Sequence, residues 1–72
     1  MHSAYFQLVN CNSRRDCRRI RRGVGAIPGV TGVGFNDATA RLGVDYGDIT
    51  DSASIRRRIE TMGYGVIDVA EI

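Results

Sequence analysis

The chain has 72 residues, net charge +2, 43% hydrophobic and 25% charged residues. This is an ordinary globular balance that excludes a disordered or low-complexity chain and predicts one small domain over residues 1–72. So short a chain buries only about 60% of the surface its unfolded form exposes, which leaves little room for a large internal active site. Gly23–Asn36, the longest uncharged stretch, falls short of the roughly 20 apolar residues of a membrane span. Met1–Val9 has neither the basic leader nor the apolar run of a secretory signal, so the expected location is cytoplasmic.

Along the chain, Phe6 and Leu8 alternate with Gln7, which predicts a half-buried strand over Tyr5–Val9. Asn10–Ser13 reads as a loop in which Asn12 or Ser13 caps a helix over Ser13–Ala26. Cys17, Ile20, Val24 and Ile27 are spaced three, four and three apart, forming one apolar stripe of that helix. Gly23 and Gly25 weaken its last turn, and Pro28 and Gly29 stop it. Val30–Phe35 and Arg41–Tyr46 read as two strands of a hairpin, turned by Asn36–Thr39. Thr50, Asp51 or Ser52 caps a second helix whose buried stripe is Ile55, Ile59 and Met62. Gly63 ends it, and Tyr64–Val69 is the last strand. The order is βαββαβ. Two right-handed strand–helix–strand units predict an α+β, ferredoxin-like sandwich, a four-stranded antiparallel sheet with both helices on one face.

All ten basic residues are arginine, and six lie in Arg14–Arg22 with Asp16 as the only acid. That segment carries +5 in a chain of +2, a patch that attracts acidic partners or else is a solvated helix face. Cys11 and Cys17 are the only cysteines. Two thiols in a reducing setting do not make a disulfide framework; they read as metal or redox chemistry, or as a small buried hydrophobe at Cys17.

The strand with Phe6 and Leu8, Ile20 and Val24, "IPGV" at Ile27–Val30, "VGF" at Val33–Phe35, "VDY" at Val44–Tyr46 and "IRRRIETMGYGV" at Ile55–Val66 resemble the heavy-metal-associated domain family. Copper chaperones, mercury-binding proteins and the cytosolic ends of metal-pumping P-type ATPases carry that module. In the family a CxxC preceded by methionine lies between the first strand and first helix. Here Ser13 and Asp16 fall at the two ligand positions, Cys11 at the methionine position and Cys17 one residue past the second ligand, giving C-x5-C.

The resemblance implies a domain that binds and transfers a soft ion, Cu(I) or Zn, as a chaperone or as a regulatory domain of a P-type ATPase. Cys11 and Cys17 would be the thiolate ligands, with Ser13, Asp16 and Tyr64 beside them. Arg14, Arg15, Arg18, Arg19 and Arg22 would dock the monomeric chain on the acidic face of a partner metal-binding domain or transporter. A metal-free interaction module using the same arginines is the alternative.

Geometry sets a condition on the ligand pair. Metal–thiolate bonds of about 2.3 Å keep two sulfurs within about 4.6 Å of each other. Six residues of continuous helix would separate them by roughly 9 Å and about 240°. Cys11 must therefore turn back from the loop, and Cys17 must sit at the exposed end of its stripe. A helix N-terminus with nearby arginines would lower the thiol pKa values. His2, the only imidazole, is expected on a flexible terminus or as an extra ligand. Nothing in the spacing suggests an enzyme or a membrane contact. Nucleic-acid binding is not expected either, because "TGVGFNDA" lacks a basic-aromatic signature and the arginines fall on a helix.

Overall fold

The computed structural model describes residues 1–11 and 13–72. Its elements are β1 His2–Val9, α1 Arg14–Gly25, β2 Val30–Asn36, β3 Arg41–Tyr46, α2 Ser52–Thr61 and β4 Gly65–Glu71. The strands form one antiparallel sheet in the order β2-β3-β1-β4, so the two central strands, β1 and β3, pair side by side although α1 and β2 lie between them in the chain. The expected ferredoxin-like βαββαβ sandwich is the fold of the chain.

Strand alternation places Ala4, Phe6 and Leu8 of β1 and Leu42, Val44 and Tyr46 of β3 on the inner face. Ile20 and Val24 of α1 and Ile55 and Ile59 of α2 close over them. Burying each such side chain contributes about 1.5–3 kcal/mol, which is how so small a chain offsets its ordering entropy.

Each helix starts on a side-chain cap. Ser13 Oγ accepts from the Asp16 amide at 3.2 Å, and Asp51 Oδ1 accepts from the Ser54 amide at 2.8 Å. Of the three caps expected for α2, Asp51 is the one used. Asn12, the alternative cap for α1, lies outside the described residues.

Five expectations need correction. β1 begins at His2, three residues early, because pairing of His2 with Tyr46 and Ser3 with Asp45 extends it along β3. His2 is thus no loose end: its ring stacks on Tyr46 at 5.4 Å and Nε2 lies 2.6 Å from Asp48 Oδ1. Met62 is the cap of α2 rather than part of its interior, and Tyr64 precedes β4 rather than opening it. Gly23 in α1 is a close approach: a Cβ there would lie 2.5 Å from the Met62 sulfur, so glycine lets the two helices meet.

Candidate metal centre

Antiparallel pairing brings three connections to one end of the sheet: the β1–α1 loop, the β2–β3 turn and the α2–β4 link. Asn10, at φ 67°, takes the left-handed conformation that asparagine tolerates better than most residues, and Cys11 follows it. Cys17 lies in the first turn of α1, half-buried, at the outer end of the stripe whose inner members Ile20 and Val24 are sealed. The two sulfurs are 3.7 Å apart as free thiols. Two bonds of about 2.3 Å to one ion place sulfurs about 3.8 Å apart at a tetrahedral angle and about 4.6 Å apart when collinear. The pair is therefore spaced to share an ion with little movement.

The thiols open into a hollow of about 230 Å³ lined also by Ser13, Arg14 and Asp37. Asp37 comes from the β2–β3 turn and lines the hollow beside Cys17, whose thiol pKa it raises. Nothing local in the sequence marks it, since "NDAT" reads only as turn chemistry. The turn is fixed in place by the Gln7 amide, which donates to the Thr39 carbonyl at 2.5 Å, and by the Leu8 amide, which donates to the Ala40 carbonyl at 3.0 Å.

The expected fall in thiol pKa does not occur. Burial pushes the Cys17 thiol up to about 12, helped by its hydrogen bond with Cys11 and by Asp37. Burial also raises Cys11, with Asp16 and Asp37 adding to the rise while the hydrogen bond with Cys17 opposes it. Low-dielectric surroundings and two nearby carboxylates outweigh the helix N-terminus and the solvated arginines. Metal-free, both thiols keep their protons at neutral pH.

Ser13 and Asp16 do not point into a ligand set. Ser13 Oγ caps α1 and donates to Asp16 Oδ2 at 3.2 Å, a reciprocal brace across the first turn. The buried Tyr64 donates its phenol to Asp16 Oδ1 at 2.7 Å, which locks the α2–β4 link against the start of α1. Burial and Asp16 together raise the Tyr64 pKa. Among the described residues, no group of three or more His, Cys, Asp or Glu is arranged to hold a metal. The donor set is a pair of thiols, with Asp37 beside it.

The arginines of α1 are all exposed. Arg14 lines the hollow, Arg15 and Arg19 are exposed on α1, and Arg18 and Arg22 lie with Arg21 in a groove beside β2. Arg21, outside the five arginines expected to dock a partner, belongs to that second group.

No protein-family model and no curated protein matches the chain. Solved structures do. The chain is similar to the CsoZ metallochaperone at 17% identity and TM-score 0.87, over 94% of this chain and 100% of that one. It is similar to the yeast copper transporter domain CCC2A, studied apo and Cu(I)-loaded, at 19% identity and TM-score 0.86, over 100% and 96% of the two chains. The N-terminal domain of ZntA in its Zn(II) form matches at 24% identity and TM-score 0.80, over 93% and 90%. The fold implied by the sequence resemblance is the fold these proteins share with the chain.

Proposed function

We propose that the chain binds a soft metal ion, Cu(I) or Zn(II), between Cys11 and Cys17 and hands it to a partner, as a chaperone or as the cytosolic domain of a metal-transporting P-type ATPase. The observation that carries this reading is the 3.7 Å separation of two free thiols at the open tip of the molecule. The CsoZ metallochaperone and a copper-binding domain from HMA7, a P-type ATPase, support it as structural neighbours. Thiolates suit soft ions, and a two-sulfur site leaves the ion open to attack by a partner's own thiolates.

Uptake requires both thiols to release their protons to solvent, because thiolate is the ligand form. Arg14 at the hollow stabilises the negative charge that results. Ser13, Asp16 and Tyr64 act indirectly, by fixing the helix turn that carries Cys17. The role is binding and transfer rather than catalysis, by a monomer whose exposed arginines face an acidic partner in the reducing cytoplasm. Among the described residues, no helix is long and apolar enough to cross a membrane.

Competition titration with a Cu(I) chelator, and with a Zn(II) indicator, under reducing conditions tests the proposal. One ion per chain is expected, with affinity lost in a Cys11→Ser, Cys17→Ser double variant. Absence of bound metal, or binding unchanged by the double variant, overturns it.

A further inference from the structure

The fold treats the two edges of its sheet differently. β4 carries Asp68 and Glu71 and shifts register opposite Gln7 and Leu8. Charges and bulges of this kind keep other strands from pairing with an edge. β2 has no charged residue, and after a shift near its start it runs regularly from Gly32 to Asn36 along β3. Among the described residues, no backbone hydrogen bond from Thr31–Asn36 goes anywhere but to β3. Val33 and Phe35 pack on the core yet stay half-buried, so apolar surface remains uncovered along this edge.

Beside it α1 builds a groove of about 480 Å³, lined by Arg18, Arg21, Arg22 and Gly25 together with Thr31 and Val33 of β2. The three arginines are exposed, and no carboxylate lines the groove. We infer that this edge is a docking site for an acidic, extended peptide segment of a partner protein, which adds to β2 as a fifth strand and sets its carboxylates on the arginines of α1.

Three physical features favour that occupant. An open strand edge offers alternating amides and carbonyls that only another extended backbone satisfies in full. Guanidinium groups take carboxylates in paired hydrogen bonds. The spacings also agree: Arg18 and Arg22, four apart on a helix, are separated by about 6 Å along its axis, and alternate residues of a strand by about 6.7 Å. Acids at every second position would thus meet successive turns of α1. A nucleic-acid backbone would find the arginines but leave the strand edge unpaired. The inference does not need the cysteine pair and stands apart from the metal reading.

Fluorescence anisotropy of the intact chain with a fluorescein-labelled octapeptide of alternating Glu and Val tests it. Saturable binding is expected. An Arg18→Glu, Arg22→Glu double variant, both exposed positions, should weaken it at least tenfold. N-methylation of alternate peptide residues should weaken binding in one frame and spare it in the other, because only one set of amides faces β2. That series uses the native chain and decides the matter even if the charge-reversed variant does not fold. Amide chemical-shift changes should centre on Thr31–Phe35, and the Cys11→Ser, Cys17→Ser variant should bind the peptide as the native chain does. No saturable binding, equal binding in both N-methyl frames, shift changes confined to β4 or to the cysteine tip, or preference for a single-stranded oligonucleotide of equal charge would each overturn it.

Discussion

The two ends of the sheet are closed by different chemistry. At the end remote from the cysteines, the Gly47 amide donates to the Gly29 carbonyl at 2.8 Å and the Ile72 amide to the Ser3 carbonyl at 2.9 Å. His2 adds its stack on Tyr46 and its contact with Asp48. Main chain does most of the work there. At the cysteine end, closure depends on side chains that titrate: two thiols, the carboxylates of Asp16 and Asp37 and the phenol of Tyr64. The remote end rests mainly on main-chain bonds with one exposed His2–Asp48 contact, while the cysteine end adds to its main-chain bonds a set of groups that change state with protons, oxidants and metals.

The largest effect is expected from removing what both ends share. Phe6 is fully buried between the helices and the sheet. Phe6→Ala should cost about 3–5 kcal/mol, comparable with the whole stability of so small a domain, and circular dichroism should show both ends lost together.

Tyr64→Phe tests the cysteine end alone. It deletes a hydrogen bond to a carboxylate from a buried ring and should cost about 1.5–3 kcal/mol by urea denaturation, with amide exchange rising around Asp16 and Cys17 but not around Gly47. His2→Ala tests the remote end. Its contact with Asp48 is solvent-exposed, so the melting temperature should move by about 1–8 °C, less than for Tyr64→Phe. Asp48, whose carboxyl His2 holds below the usual range, should titrate at a higher pH in the variant, as NMR would show.

The smallest effect at neutral pH is expected from Cys17→Ser in the metal-free chain. Folding raises the Cys17 pKa from 9.0 to about 12. Below the lower value both states hold the proton and stability does not depend on it. Between the two values the folded chain binds more protons than the unfolded, so stability falls as pH rises. The native chain should lose stability steadily above about pH 9, and the serine variant should lose less over the same range.

Much of this architecture was legible in the chain's periodicity. Phe6 and Leu8, the Leu42–Val44–Tyr46 alternation and the Ile55–Ile59 pair each mark a face, because burial acts residue by residue at fixed spacing. The start of β1 was not legible: His2 and Ser3 carry no apolar signal and are ordered by partners more than 40 positions away. The cysteine pair was legible only as a condition, since a C-x5-C spacing meets on one point when Asn10 turns the chain back and not otherwise. Asp37 and the raised thiol pKa values belong to tertiary packing. The arginines and the helix start lie close to the cysteines in sequence, whereas the Asp37 carboxylate is delivered by the next hairpin and leaves no local mark.

The protonated state of the empty thiols has an electrical consequence. An ion that takes both sulfurs expels two protons, so a monovalent cargo leaves the tip one unit more negative than before, whereas a divalent cargo leaves its charge unchanged. A docking protein that senses the potential at this pole would tell a copper-loaded chain from an empty one, and would be blind to the same chain carrying zinc.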